Sequence, residues 1–126
     1  MKTLTDHKVN GLNEALVIEA GEPGSGNAPH NYRIFIPDSV PLKEGVTVYY
    51  DLSFQNGPIA GPKDFNGITN EALLTVLIDR MRGFQSGPFA CRENALALTK
   101  LEEALMWLQK RTRDRMARGV EGSLTK

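Results

Sequence analysis

The sequence predicts an α+β protein in which a small N-terminal antiparallel β-sheet is followed by a C-terminal antiparallel helical hairpin. Before Pro62, apolar side chains recur at the period of two that is typical of strands. After Pro62, they recur at the spacing of three and four that is typical of helices. The breaker Ser86-Gly87-Pro88 divides the helical part with a turn so short that the two helices must lie antiparallel. We therefore expect a β-rich region, 1–62, and a helical hairpin domain with a short tail, 63–126.

The composition is that of a globular chain with balanced charge. Its 126 residues include 15 basic and 15 acidic side chains, with 40% hydrophobic and 24% charged residues. This balance excludes a polybasic nucleic-acid arm and an acidic disordered tail. The single cysteine, Cys91, excludes an internal disulfide framework and a cysteine-rich zinc site, which favours a reducing compartment. We expect neither an export leader nor a membrane span.

Three strands are expected in the N-terminal region. Residues 12–20 are rich in β-branched side chains near their end, just before Gly21. Apolar side chains alternate along residues 32–36, and residues 46–54 have the highest β-propensity of the chain. Residues 21–30 contain three glycines and two prolines, which predicts a loop. This loop is not a phosphate-binding loop, because it lacks the required lysine and precedes a strand. A sheet this small needs a helix or a second copy to pack against.

Two helices of unequal length are expected after Pro62. The first follows Thr69 as N-cap and ends at the breaker, and the second runs from about Pro88 to Arg118, with Gly119 in the C′ position. At 1.5 Å per residue the second helix is about 45 Å long and overhangs the first. Its apolar residues also cover more than one stripe, since Trp107 points away from the main seam. Both features predict a homo-oligomer.

The second helix carries basic residues on what should be its apolar face. Positions 94, 97, 101, 104, 108, 111, 115 and 118 would share one face, which changes from apolar residues to Arg111 and Arg115. Burying a charge costs several kcal/mol unless it is paired, so these arginines predict an anionic partner, and their planar forks match phosphate oxygens. The alternative is a solvated basic helix end, paired with Asp79, Glu102 or Glu103.

Phe84 and Asn94 flank the predicted turn of the hairpin. An antiparallel hairpin makes them near neighbours, and a ring face together with an amide is the minimal equipment for holding a nucleobase. The alternative is that Phe84 ends the core and Asn94 lies on the surface.

Groups suited to catalysis are few. His7 lies near the N-terminus and His30 in a loop, and no nucleophile motif surrounds either of them. Cys91 is expected to be a small, buried, apolar residue. Since no metal-ligand spacing occurs, we expect neither a metal nor a cofactor.

Four segments of the helical part carry a specific resemblance: FNGITNEALL at 65–74, residues 78–94, LEEALMWLQKRT at 101–112, and RGVEG at 118–122. They closely resemble the hairpin domain shared by the Thoeris anti-defence and anti-CBASS proteins of bacteriophages. Residues 26–32 and 54–59 look like the N-terminal sheet of the Thoeris members, which the shorter anti-CBASS relatives lack.

This resemblance implies a non-enzymatic sponge, an oligomer that sequesters the cyclic nucleotide signals of bacterial immunity. The implied ligand is a cyclic ADP-ribose isomer, such as the glycocyclic one, bound intact. By motif position, Phe84 and Asn94 would hold the base, and Arg111 and Arg115 the phosphates. Some members also take cyclic di- or trinucleotides at a separate inter-subunit site. The resemblance further implies dimers and hexamers in the cytoplasm of the infected bacterium.

Two other functions stay open at this point. One is a small phage hydrolase of cyclic nucleotides. The other is a nucleic-acid-binding regulator that uses the basic end of the long helix, although the neutral net charge argues against a nucleic-acid polymer as partner.

Overall fold

The computed structural model describes all 126 residues and divides them into two compact units. The sheet unit comprises residues 1–57 and 65–67, and the hairpin unit comprises residues 58–64 and 68–126. The order predicted from the sequence, a sheet followed by helices, is confirmed. The boundary expected after Pro62 lies within the segment 58–64, which belongs to the hairpin unit.

The sheet unit contains four antiparallel strands that lie side by side in chain order: β1 (Lys2–Leu4), β2 (Val17–Ala20), β3 (Asn31–Phe35) and β4 (Tyr49–Ser53). The sequence did not indicate β1, because three residues are too few to show an alternating pattern. The strand expected over residues 12–20 is wrong in its first half, where α1 (Gly11–Ala15) forms instead. Its cap explains the difference, since the Asn10 side chain accepts a hydrogen bond from the backbone N–H of Asn13.

A row of charged side chains crosses three strands of the sheet. Glu19, Arg33 and Asp51 are directly opposite one another on β2, β3 and β4. The Arg33 guanidinium lies 3.8 Å from the Glu19 carboxylate and 3.3 Å from that of Asp51. The hydrogen bond to Asp51, followed by the nearby Tyr49, raises the pKa of Arg33. Such cross-strand pairs of opposite charge support the observed register.

Side-chain amides hold the loops of the sheet unit in place. The loop predicted over residues 21–30 is confirmed, with one short 3₁₀ turn at Ser25–Asn27. Asn66 binds the backbone of Asn56 twice, through Oδ1 at 2.8 Å and Nδ2 at 2.7 Å. Beside it, Gly67 lies so close to the end of β4 that a Cβ there would be 2.5 Å from the Ser53 carbonyl oxygen.

The hairpin unit consists of α2 (Asn70–Gln85) and α3 (Arg92–Ala117). The predicted cap is confirmed, since Thr69 Oγ1 accepts a hydrogen bond from the N–H of Ala72 at 3.0 Å. The predicted helix start at Pro88 is wrong. Gln85 donates to the Cys91 carbonyl and accepts from the Cys91 N–H, both at 3.1 Å. This contact holds Cys91 in an extended conformation, so α3 begins only after it.

The seam between the helices is rotated relative to the predicted face. Ile78 is the buried residue of α2, and the inward residues of α3 recur at 94, 98, 101, 105, 108, 112 and 115. The predicted positions 97, 104, 111 and 118 are exposed, so the prediction is wrong at every second position. The reason is burial of apolar area: leucines at 98 and 105 remove more surface from water than alanines at 97 and 104.

The end of α3 follows the prediction. Gly119 has φ +74°, and its N–H donates to the Met116 carbonyl at 3.1 Å, while the N–H of Val120 donates to Arg115 at 3.0 Å. This pair of bonds is the Schellman motif, which confirms Gly119 as the C′ residue.

Candidate functional site

The open end of the hairpin, away from the 86–91 turn, carries a basic cavity. The cavity has a volume of about 300 Å³, and we call it the arginine cavity. It is lined by Trp107, Lys110, Arg111, Asp114, Arg115, Arg118 and Lys126. Five of these side chains are cationic and one is anionic, in a chain whose formal net charge is zero. A concentration of positive charge in a concave surface attracts anions.

Arg115 is the most buried polar residue of the chain, at 6% exposure. Its Nε donates to the Glu121 carboxylate at 3.0 Å, and its Nη2 donates to the carbonyls of Val120 at 2.9 Å and Ser123 at 3.0 Å. Its Nη1 donates to the Thr125 carbonyl. Arg115 is therefore held by residues 120–125, which follow α3, and by none of the carboxylates proposed from the sequence.

Arg111, one turn before Arg115, has the opposite environment. It is exposed, lines the arginine cavity and forms no ion pair. Its predicted partner Glu102 binds Arg82 instead, at 2.7 Å. Its neighbour Lys110 is bound to Asp114, also at 2.7 Å. The planar donor group of Arg111 is thus available to an anion in the cavity.

Phe84 and Asn94 lie at the other end of the hairpin, beside the turn. Phe84 is the penultimate residue of α2 and 37% exposed, and Asn94 is the third residue of α3 and half-buried. The guanidinium carbon of Arg80 lies 5.1 Å from the centroid of the Phe84 ring. This contact is a cation–π interaction, which holds the ring and adds a positive charge to this end.

The four predicted residues do not lie together at one place on the hairpin. Asn94 and Arg111 are separated by 17 positions of one continuous helix, which corresponds to about 25 Å. Phe84 and Asn94 therefore lie toward the turn end, and Arg111 and Arg115 lie toward the open end. One copy of the chain does not present all four to a single small ligand.

Sequence reasoning missed several residues of the arginine cavity. Positions 107, 110, 111, 114, 115 and 118 are spaced by three, four and one, so they share a helix face. That spacing was readable from the sequence, and it includes Trp107, which a search limited to basic residues passes over. Lys126 left no such signal, because its position depends on the path of the chain after the helix.

Cys91 contradicts its prediction. Its thiol is free and exposed, because the residue is the N-cap of α3 at the surface. No group of three or more His, Cys, Asp and Glu side chains is close enough to hold a metal ion. No helix of the chain is long and apolar enough to span a bilayer.

The chain is similar to proteins that have already been described. Residues 50–113 match the family model described as the Acb2/Tad1 hairpin domain, and this range includes all of α2 and most of α3. A similar protein is "Thoeris anti-defense 1" of Bacillus phage SBSphiJ7. The two are 42% identical over 114 residues, which cover 90% of this chain and 80% of the phage protein.

Proposed function

The chain belongs to the Acb2/Tad1 hairpin family, and from this premise we propose that it is a phage anti-defence protein that sequesters a cyclic nucleotide signal. The ligand we propose is a cyclic ADP-ribose isomer, such as the glycocyclic one, held intact in the cytoplasm of the infected bacterium. The observation that carries the proposal is the arginine cavity, where five cationic side chains surround a concave surface of a chain whose net charge is zero.

The cavity suits the pyrophosphate of such a ligand. A pyrophosphate presents several anionic oxygens within a small volume, and a guanidinium binds two of them at once. Arg111 has its donors free, and Lys110 and Arg118 add positive charge on either side. The ring of Trp107 supplies an apolar wall to the same cavity.

The turn end of the hairpin suits the base. Phe84 presents a partly exposed ring, and stacking on such a ring contributes about 1 to 3 kcal/mol per base. The Asn94 amide both donates and accepts hydrogen bonds, so it can pair with a base edge.

A complete site then requires two copies of the chain. Because about 25 Å of helix separates Asn94 from Arg111, we place the base on one copy and the pyrophosphate on the other. Two hairpins that pack antiparallel bring the turn end of each beside the open end of its partner. Such a pair contains two equivalent sites, as expected for a symmetric dimer.

The amount of exposed surface supports this assembly. The chain exposes 9416 Å². Two separate globules of half its mass would expose only about 8,000 Å² in total. Apolar side chains on α3 are part of the exposed surface, since Met106 is 50% and Trp107 56% exposed. Contact with a second copy would remove this surface from water.

Sequestration without degradation is tested by recovery of the ligand. The protein is incubated with glycocyclic ADP-ribose, freed of unbound ligand, heated to denature it, and the released nucleotide is identified by mass spectrometry. The proposal predicts the intact cyclic molecule. A linear or hydrolysed product would identify a hydrolase instead. Cyclic di- and trinucleotides, tested in the same way, determine whether a second class of signal is bound.

The two-chain site is tested by complementation. Phe84→Ala and Arg111→Ala each damage a different half, so neither homodimer keeps an intact site. After dissociation and mixing, half of the dimers are heterodimers, and each heterodimer regains one intact site. Recovery of binding on mixing supports a composite site, whereas a mixture as weak as its components contradicts it.

A further inference from the structure

The C-terminal segment, residues 120–126, already occupies the donors that Arg115 would offer to a phosphate. The Arg115 guanidinium makes four hydrogen bonds, all to this segment. An arginine side chain has five N–H donors, so one remains. The next arginine along the helix, Arg118, donates to the carbonyl of Lys126 in the same segment.

The acceptors in this segment imitate those of an anionic ligand. Arg115 faces one carboxylate, that of Glu121, and three carbonyl oxygens, all within reach of a single planar fork. A phosphate binds an arginine through the same kind of contact, with oxygen acceptors in the plane of the guanidinium. The segment also reaches the arginine cavity itself, since Lys126 lines its wall.

We infer that residues 121–126, the part of the C-terminal segment after Val120, compete with a phosphate-bearing ligand for Arg115. The ligand must displace these residues in order to bind. This inference rests on the proposed function, because it takes Arg115 as a phosphate contact. Arg115 cannot donate to the segment and to a pyrophosphate through the same N–H groups. The segment therefore sets the affinity of the site, since the apparent dissociation constant rises as the fraction of protein with a free Arg115 falls.

Anchors at its start and middle give the segment a defined path. Val120 belongs to the Schellman motif of α3, and Ser123 Oγ donates back to the Val120 carbonyl at 2.5 Å. The Gly122 carbonyl accepts from the N–H of Ile59 at 2.9 Å. Gly122 has φ +82°, and a Cβ at this position would collide with the Ile59 carbonyl. Displacement therefore breaks a small, specific set of contacts, while Val120 can stay with the helix.

Glu121→Gln tests the inference with a matched control. This substitution removes the one charged acceptor of Arg115 and keeps the shape of the side chain. Asp114→Asn removes the same charge from the wall of the same cavity, but Asp114 binds Lys110 and does not touch Arg115. We expect glycocyclic ADP-ribose to bind Glu121→Gln about three- to tenfold more tightly than Asp114→Asn, by calorimetry. Equal or weaker binding would overturn the inference.

Removal of the competitor tests it in a second way. A chain that ends at Val120 with an amidated C-terminus removes residues 121–126, adds no carboxylate beside Arg115 and keeps the helix cap at Gly119 and Val120, and circular dichroism checks the helix content. We expect glycocyclic ADP-ribose to associate about tenfold faster with this variant than with the full chain. The fluorescence of Trp107, the only tryptophan and a residue of the cavity, measures the rate. A folded truncated protein that binds more slowly or more weakly would show that the segment is part of the binding surface.

Hydrogen exchange on the intact protein separates failure of this inference from failure of the proposed function. We expect the amides of residues 121–126 to exchange faster when the protein is saturated with ligand. Ligand binding together with unchanged or slower exchange there would overturn the inference and leave the sponge function standing. Absence of binding in the wild type and in both variants would overturn both.

Discussion

The sheet unit and the hairpin unit differ in how they use their polar side chains. In the sheet unit these groups bind one another. Arg33 lies between two carboxylates across the strands, and Asn66 binds both backbone groups of Asn56. In the hairpin unit, Arg111 has no partner, and Arg115 is bound only by the segment that follows its helix.

Both units expose large apolar side chains, such as Val9 at 85% in the sheet unit and Trp107 at 56% in the hairpin unit. The hairpin buries one seam centred on Ile78, while Trp107 and Met106 remain exposed on α3. The difference lies in single guanidinium groups: Arg33 is held by the strands beside it, whereas Arg111 has no partner and is free for the ligand that we propose. Substitutions in the sheet unit and in the seam should therefore affect stability, and those at the two ends of the hairpin should affect binding.

The largest effect is expected at the seam. Ile78→Ala removes buried methyl groups at a position that is 3% exposed, so it should destabilise the hairpin by about 3 kcal/mol. Urea unfolding followed by circular dichroism measures this loss. Val76→Ala, on the exposed side of the same helix, is the control and should change stability by less than about 0.5 kcal/mol. Similar losses for both variants would show that the seam is not where the hairpin derives its stability.

A somewhat smaller effect is expected in the sheet unit. Gly67→Ala places a methyl group 2.5 Å from the Ser53 carbonyl oxygen, and backbone atoms cannot move aside as a flexible side chain does. We expect a loss of about 2 to 3 kcal/mol. Gly11→Ala is the control, because nothing lies within 4 Å of its added Cβ. Calorimetric unfolding of both variants measures the difference, and an unchanged Gly67→Ala melting temperature would contradict the close approach.

At the open end of the hairpin, substitutions should change the affinity for the ligand and not the stability of the fold. Arg111→Ala should weaken the affinity for glycocyclic ADP-ribose by about ten- to a hundredfold, since a charge-assisted bond contributes about 1.5 to 3 kcal/mol. Because Arg111 is exposed and unpaired, unfolding should not change. Arg111→Lys should not restore full affinity, because an ammonium lacks the planar fork.

The control for Arg111 is Arg113→Ala. Arg113 lies on the exposed surface of the same helix, outside the arginine cavity, and its removal changes the net charge equally. Calorimetric titration of correctly assembled protein compares the two. Equal affinities for Arg111→Ala and Arg113→Ala would show that Arg111, like Arg113, belongs to a solvated basic surface and does not contact the ligand.

The smallest effect is expected at the turn end. Phe84→Ala removes a stacking face and should weaken binding about tenfold. Since Phe84 is only 37% exposed, the accompanying loss of stability should be about 1 to 2 kcal/mol. Phe89→Ala, in the turn and 72% exposed, is the matched aromatic control and should bind normally. A Phe84→Ala variant with wild-type affinity would remove the aromatic half of the proposed site.

Local chemistry accounts for the parts of the fold that could be predicted. The cap at Thr69, the stop at Gly119 and the strand around Ile34 depend on side chains within a few residues of one another. Two predictions failed because short-range side-chain hydrogen bonds, at Asn10 and at Gln85, are not visible in the pattern of apolar residues. Pro88 did not begin a helix, because the Gln85 side chain binds both the N–H and the carbonyl of Cys91 across the turn.

The candidate site could also be predicted only in part. The basic run around Arg111 could be identified from residue type and spacing. The rotation of α3 could not, because it follows from how much apolar area each helix face buries against α2, a quantity that exists only once the two helices are packed.

The sequence by itself determined the order of sheet and hairpin, the start of α2 after Thr69, the end of α3 before Gly119, and the basic run around Arg111. Only the tertiary structure decided that Arg111 is free while Arg115, one turn later, is engaged. The physical reason is that the environment of a guanidinium depends on which acceptors reach it through space. For Arg115 those acceptors come from a segment whose path is set by Gly119, Gly122 and the Ile59 backbone.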